Sequence, residues 1–363
     1  MEVDQVLLAS PRGFCAGVEM AIKALAWMVR VFEPPVYCYH EIVHNQVVVE
    51  RFRALGVVFV EDVQDVPPGA PLMLSAHGSP PQIVAAARDA GGAVVNAVCP
   101  LVKKVHHEVK VRSGKGYSIV YVGHEGHQEA IGTMAVAPGA IHRVESTEEI
   151  DALPDPEGPV AFLAQTTLAL DEWKALLDHA QQRWPDIWVP GHSDLCFATT
   201  NRQTALKAIA SRCDVVVVIG SANSSNTLAL ERTAIAAGCP RTLRVNGPGE
   251  LPDDLAGVVG VIAGASAPEE LVRAVVARLS PAGGVEEVHA VDEDQYFGPP
   301  PELRELLRAV ATVAAVAMLA PGGDPAAGAA ALEDRDVDAA EALAELAGLG
   351  GLAGLGGLAG LAG

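Results

Sequence analysis

The chain has 363 residues, half of them hydrophobic, and a formal charge of −20 at pH 7. That length with that apolar content describes a folded protein of two or three domains and excludes an intrinsically disordered one. The acidic balance excludes nucleic acid as the main partner, because neutralising phosphates needs a basic surface; seven acids against Arg335 from Asp324 onward account for −6 of the charge, and the remaining −14 admits an anionic ligand only where the site supplies its own donors.

The first element is a short apolar strand, Val6–Ala9, that breaks through Pro11 and Gly13 into a helix with Val18, Ile22, Leu25 and Val29 on one face. Cys15 stands at the junction, where the positive end of a helix favours a thiolate. Apolar runs then end repeatedly in short polar loops. Val36–Tyr39 runs into HEIVHN, Leu72–Leu74 into SAHGS, Ser118–Val122 into GHEGHQE, Val160–Ala164 into QTT, Val215–Ile219 into GSANSSN and Val258–Ile262 into AGASAP. Continuous apolar strands alternating with helical patterns predict an α/β fold of mostly parallel sheets, with the ligand site beyond the carboxyl ends of the strands.

Cys99 in VVNAVCPLVKKV and Cys196 in SDLCFATTNRQTAL repeat the context of Cys15, an extended stretch before and a helical pattern after. Pro100 suits the first turn of the second helix, and Thr200 with Gln203 reads as a capping box near the start of the third. The separations of 84 and 97 residues predict one structural unit used three times. The expected units are residues 1–98, carrying Cys15 and joined by 286–319; 99–192, carrying Cys99; and 193–285, carrying Cys196. Pro301–Leu319 reads as a helix packed on the body. Residues 320–363, with Leu at every third position from Leu343 to Leu361 between Gly and Ala, read as a low-complexity, disordered tail. Met1–Ser10 lacks the basic start and long apolar core of a signal peptide, and Ala309–Ala320 is too short to cross a bilayer, so a cytoplasmic protein without membrane insertion is expected. The six cysteines should then be reduced.

Three cysteines on separate loops, with no CxxC among them, leave three readings open. They are an iron–sulfur cluster with one iron not held by protein, a catalytic Cys–His pair, or buried structural thiols. His44, His77 and His127, with Thr167, Ser224, Ser225, Asn226 and Ser266, would make a basket free of Lys and Arg. Imidazole, hydroxyl, amide and helix-start N–H donors can bind a phosphate or diphosphate without a basic side chain. Glu129, two residues from His127, is a candidate proton donor if its surroundings are dry enough to raise its pKa. Taken singly, each histidine also fits a solvated loop and Glu129 a surface carboxylate.

In order along the chain, PRGFCAGV, HEIVHN, SAHG, CPLV followed by KVH, GHEGHQE, QTT, CFATTNRQ, GSANSSN and AGASAP resemble the LytB-type 4-hydroxy-3-methylbut-2-enyl diphosphate reductases from Val6 to Gln295. The resemblance implies a trefoil of three pseudo-threefold-related α/β units around one [4Fe-4S] cluster held by Cys15, Cys99 and Cys196. It implies that His44, His77, His127, Ser224, Ser225, Asn226 and Ser266 meet the diphosphate. Glu129 would be the proton source, with Thr166 passing a hydrogen bond toward the substrate hydroxyl at the open iron. The implied reaction is reductive dehydroxylation to isopentenyl and dimethylallyl diphosphate in the methylerythritol phosphate route, with reduced ferredoxin or flavodoxin as electron donor. Asn96, Val98, Gln128 and Phe197 depart from the family pattern of Asp, Thr, Pro and Tyr and touch tuning rather than ligation. Cys38, Cys213 and Cys239 match no motif and are expected in packing. Two further classes remain in view: a cluster-binding redox sensor of the same fold without turnover, and a hydrolase using Cys15 as nucleophile.

Overall fold

The Val-rich runs form strands, and every strand pair is parallel. The structure, a computed structural model, describes residues 1–317 and 338–340. Apart from residues 338–340, the tail expected over 320–363 lies outside the described residues, as does the end of the helix expected over Pro301–Leu319.

The first stretch holds β1 (Glu2–Ser10), α1 (Ala16–Val31), β2 (Val36–Tyr39), α2 (Gln46–Ala54), β3 (Val57–Val60), β4 (Leu72–Leu74), α3 (Pro81–Asp89) and β5 (Val94–Asn96). Next come α4 (Pro100–Gly114), β6 (Ser118–Val122), α5 (Gln128–Met134), β7 (Ile141–Val144), α6 (Thr147–Ala152), β8 (Val160–Ala164) and α7 (Leu170–Arg183). The last stretch holds α8 (Phe197–Ala210), β9 (Val215–Ile219), α9 (Ser225–Ala236), β10 (Arg241–Val245), β11 (Ala256–Ala263), α10 (Glu269–Leu279), β12 (Val285–His289) and α11 (Pro301–Ala317). Three sheets result, in the orders β3-β2-β4-β5, β7-β6-β8 and β10-β9-β11-β1-β12. This is a mixed α/β architecture of three parallel sheets, consistent with a trefoil.

Sheet membership corrects one expected grouping. β1 does not join β2–β5; it pairs with β11 on one side and β12 on the other, in the sheet of β9–β11. The reason is burial on both faces. Val3, Val6 and Leu8 pack into one core cluster with Val217, Val259 and Val261, while Leu7 and Ala9 pack into another with Val216, Val218 and Ile262. A strand apolar on both faces needs a central place in a covered sheet. Of the 286–319 segment, β12 belongs to this same sheet, whereas Leu303 and Leu307 of α11 pack with the core of the β2–β5 sheet.

The three cysteines mark where the chain passes from one sheet to the next. β1 lies in the five-stranded sheet, but α1 after Cys15 buries Ile22, Leu25 and Met28 against Val36, Cys38 and Met73 of the four-stranded one. β5 ends that sheet, and α4 after Cys99 buries Val105 and Val109 against Ile119, Tyr121 and Leu163 of the three-stranded one. Leu195 packs with the three-stranded sheet, and α8 after Cys196 buries Leu206 and Ile209 against Val216 and Val218 of the five-stranded one.

Helix α5 lies tight against the SAHG loop. A Cβ on buried Gly132 would stand 2.3 Å from the Gly78 carbonyl oxygen. An exposed helical Gly→Ala change stabilises by roughly 0.5–1 kcal/mol. Here the sign reverses: Gly132→Ala should destabilise by about 1–3 kcal/mol, as overpacking does, measured by urea unfolding.

Candidate functional site

Cys15, Cys99 and Cys196 each occupy the N-cap of the helix that follows, in extended backbone, and none of the thiols caps its helix. The three junctions are built alike. The first intrahelical bond runs from Glu19, Lys103 or Thr200 N–H to the cysteine carbonyl, at 2.9, 2.9 and 3.0 Å. The cysteine's own N–H donates to the loop beyond another strand: Cys15 to Ala265 O at 3.2 Å, Cys99 to Ala76 O at 3.0 Å and Cys196 to Thr166 O at 2.9 Å. Ala265 precedes Ser266, Ala76 precedes His77, and Thr166 is itself a candidate. The capping box expected at Thr200 and Gln203 is overturned by this geometry. With Cys196 anchored to Thr166, α8 starts at Phe197, and Thr200 turns its hydroxyl to Phe197 O. Gln203 instead accepts from Leu170 N–H and donates to Leu168 O, capping α7 from outside.

The sulfurs of Cys15 and Cys99 meet beside Gly17, where a Cβ would stand 2.8 Å from Cys99 Sγ and 3.9 Å from Cys15 Sγ. Among the described residues, no three His, Cys, Asp or Glu side chains converge as a single metal ion needs. The helix N-termini do not produce free thiolates as expected. Burial outweighs the nearby amides and pushes Cys99 up to about 12, with Cys15 and Cys196 also raised. Only a bound cationic group would turn three such thiols into thiolates. Cysteine sulfur is the donor type that an iron–sulfur group takes. Asn96, where an acid is usual, still shapes the approach to Cys99, its Oδ1 accepting from Val98 N–H at 3.1 Å. Cys38 is a core residue, and the buried Cys213 donates to Ile209 O.

The three histidines come together. The His44 and His77 rings stack at 4.1 Å between centroids, and His127 meets them edge-on at 5.7 and 6.3 Å. Burial drives the pKa of His127 down to about 3 and that of His77 well below its ordinary value, so both imidazoles are neutral at pH 7. His127 Nδ1 accepts from Glu129 N–H, which leaves the ring proton on Nε2 as a donor. His44 Nε2 and His77 Nδ1 are buried and have no hydrogen-bond partner among the described residues. Each such group costs about 1–3 kcal/mol unless a ligand satisfies it.

The β9 and β11 loops close the basket. The backbone carbonyl of His44 accepts from Ser266 Oγ at 3.0 Å and from Ser221 Oγ at 2.7 Å. Ser224 is the N-cap of α9, with Ser225 and Asn226 in its first turn. Asn226 reaches Thr199 with its amide and accepts from Ala265 N–H. Ser225 sits in a network with Thr167 at 2.9 Å, Gln165 at 3.0 Å and His124 at 3.3 Å. Glu129 is 2% exposed and accepts from both Thr166 N–H (2.7 Å) and Thr166 Oγ1–H (2.8 Å). Burial raises its pKa to about 7, against the pull of those two bonds, with the charge of Asp194 adding to the rise.

The structure stacks His44, His77 and His127 and bonds Glu129 to Thr166, but several of their partners escaped. Gln165 is fully buried and links the QTT loop to Ser225; as the first letter of QTT it was visible but unassigned. Asp194 accepts from Ala164 N–H, lies 3.7 Å from Lys104 Nζ, and is raised to about 6 chiefly by burial. Its position two residues before Cys196 was the available signal. Arg202 is buried among the backbone carbonyls of Gly13, Phe14 and Ala198.

A three-sheet α/β protein with a cysteine at each crossing between sheets, and three clustered histidines beside a buried carboxyl, is the class that fold and site define. The chain belongs to the LytB protein family, whose model matches residues 6–280. A 4-hydroxy-3-methylbut-2-enyl diphosphate reductase of Chromobacterium violaceum is 42% identical over 306 residues, covering 83% of this chain and 98% of that protein. Reductase 1 of the same description from Mycobacterium tuberculosis is 45% identical over 309 residues, covering 82% of this chain and 94% of that protein. The solved E-1-hydroxy-2-methyl-but-2-enyl-4-diphosphate reductase of Plasmodium falciparum superposes with a TM-score of 0.82 at 32% identity, over 86% of this chain and all of that one. Enzymes of this family are iron–sulfur proteins.

A carboxyl whose folded pKa is raised contributes stability that is present at low pH and lost as pH rises. For Glu129 the loss runs from about 4.5 to about 7, roughly 3 kcal/mol at full effect. The metal-free protein should therefore lose stability across that window, and Glu129→Gln should flatten the loss in pH-dependent urea unfolding. Thr166→Val, which removes one donor, should move the carboxyl titration above that of the parent, read by carbon NMR.

Proposed function

We propose that this chain reduces 4-hydroxy-3-methylbut-2-enyl diphosphate to isopentenyl and dimethylallyl diphosphate, the terminal step of the non-mevalonate route to isoprenoid precursors. The observation that carries the reading is the threefold junction: each cysteine amide is bonded to a loop that bears His77, Thr166 or Ser266. Neither a redox sensor nor a Cys15 hydrolase accounts for a buried proton donor and an anion basket built into the same three junctions. The units of the trefoil then follow the sheets: β2–β5 with α11, β6–β8, and β9–β12 with β1.

Cys15, Cys99 and Cys196 are the residues that would hold a [4Fe-4S] cluster. When bound, the cluster supplies the one-electron steps and an iron without a protein ligand. His44, His77 and His127, with Ser224, Ser225, Asn226 and Ser266, hold the diphosphate. The start of α9 adds N–H donors and positive potential, and the Nε2–H of His127 gains an acceptor. Fixing the charged tail fixes the hydroxyl at the other end of a short molecule, which supplies orientation.

Glu129 holds the proton. In its acid form its O–H donates to Thr166 Oγ1, whose own hydrogen is then free to reach the substrate hydroxyl. The C–O bond breaks, and the hydroxyl leaves with that proton as water. Two electrons and a second proton go to either end of the allyl group, giving the two products. A pKa of about 7 suits the task, since the group must hold a proton at neutral pH and release it.

The electron donor in this reading is a small reduced ferredoxin or flavodoxin. Support comes from α4, whose exposed face carries Pro100, Lys103, His107 and Lys110 and no acid, starting beside Cys99. Among the described residues, no helix is long and apolar enough to cross a membrane, and all six cysteines are free.

The test is anaerobic turnover of the hydroxylated diphosphate. The purified protein should be brown and active with a reduced dye, and a colourless, inactive protein after iron and sulfide loading would remove the reading. Glu129→Gln should keep colour and substrate binding but lose about a hundredfold or more in kcat. Activity of the parent should fall as pH rises through about 7, because the acid form is the one used. Turnover with an acidic protein donor should drop as salt rises from low to physiological, while turnover with a neutral dye should not.

A further inference from the structure

Arg202 is 1% exposed, and all five of its N–H donors are engaged. Nε donates to Gly13 O at 3.0 Å, and Nη2 to Gly13 O and Phe14 O at 2.8 and 3.0 Å. Nη1 donates to Ala198 O at 3.0 Å and to the Glu293 carboxylate at 3.0 and 3.1 Å. Asn201 donates to the same carboxylate at 2.9 Å. One guanidinium therefore joins three separate pieces of chain: the loop that ends in Cys15, the first turn of the helix that begins after Cys196, and the segment that follows β12. No lysine could make this set of bonds, because an ammonium has three donors and no planar fork.

The loop from Ser10 to Cys15 is held at its start by Ala290 N–H on Ser10 O, and further along by Gly13 N–H on Ala263 O, Cys15 N–H on Ala265 O, Arg12 outward to Glu269 and Glu287, and Phe14 against the core of the four-stranded sheet. Gly13 has a φ of +70°, a conformation that L side chains rarely adopt. With Gly13 O and Phe14 O both turned to Arg202, the peptide preceding Cys15 has one orientation. The positive charge that fixes it is buried, and its one acidic partner, Glu293, sits on the far side of the fork.

We propose that Arg202, braced by Glu293, is a positioning residue that fixes Cys15 toward the shared sulfur centre and places a buried positive charge there that favours the reduced state of the group the three cysteines hold. This deepens the reading above and rests on it. Glu293 acts in the opposite electrostatic sense while serving the same geometry, so charge and geometry separate.

The experiment uses the full chain, with and without the cluster. In the metal-free protein, Arg202→Gln and Arg202→Lys should both let iodoacetamide alkylate Cys15 about tenfold faster, with Cys99 and Cys196 changed less than about twofold. In the loaded protein at the parent's midpoint potential, the ratio of reduced to oxidised cluster should fall about three- to tenfold in Arg202→Gln, and rise by a similar factor in Glu293→Gln. Arg202→Lys should stay near the parent in that ratio while losing cluster faster to a chelator. Shifts of Arg202→Gln and Glu293→Gln in the same direction, or no shift, overturn the electrostatic role. Unchanged alkylation of Cys15 overturns the positioning role. If Arg202→Gln does not fold, Glu293→Gln and Arg202→Lys carry the test. A parent that takes up no cluster overturns the function itself, an outcome distinct from a brown parent whose variants do not move.

Discussion

The molecule depends on three backbone hydrogen bonds, from the N–H groups of Cys15, Cys99 and Cys196 to the carbonyls of Ala265, Ala76 and Thr166. Each cysteine lies where the chain leaves one sheet for the next, and backbone in such a crossing has no ladder partner of its own. A buried N–H must still be paired. At each crossing it is paired with the loop beyond a strand end, so satisfying the backbone also sets a sulfur beside a binding loop. The same solution used three times closes three small sheets around one point. It ties the loops that carry His77, Thr166 and Ser266 to the elements that carry the sulfurs.

The electrostatics of the centre follow from its dryness. In water, an anion of high charge would be met by Lys or Arg. Here His77 and His127 are neutral because protonating them inside a buried cluster costs too much. The same burial keeps the thiols protonated without a metal and keeps a proton on Glu129 near neutrality. One physical cause therefore yields two neutral imidazoles, thiols that stay protonated without a metal, and a carboxyl that keeps its proton up to about neutral pH. The chain's overall acidity is irrelevant to the ligand at this depth, while the acid-free face of α4 stands out against it.

Much of the site was legible because its residues stand in short ordered motifs just beyond apolar runs. His44, His77, His127, Glu129, Ser224, Ser225, Asn226 and Ser266 each follow a strand that a run of Val, Ile and Leu announces. The strands at Val36–Tyr39, Leu72–Leu74, Ser118–Val122, Val160–Ala164 and Val215–Ile219 coincide with those runs. Others were hidden for identifiable reasons. β3, β7, β10 and β12 are short or polar edge strands of their sheets, with little burial to mark them. Gln203 had a local explanation as a capping partner that a distant helix overrode. Arg202 and Glu293 are 91 residues apart, and nothing in either one's neighbours announces the other.

The sequence alone determined the apolar strands, that three cysteines share one context, and which loops carry donors. Those properties rest on local periodicity and on residue chemistry. Only the tertiary structure decided that β1 is a central strand of the last sheet, that each cysteine is a crossing point between sheets, and that one buried arginine braces the first of them. Strand order and buried ion pairs depend on which apolar faces meet across long stretches of chain, and that choice is made by packing and not by any residue's neighbours in sequence.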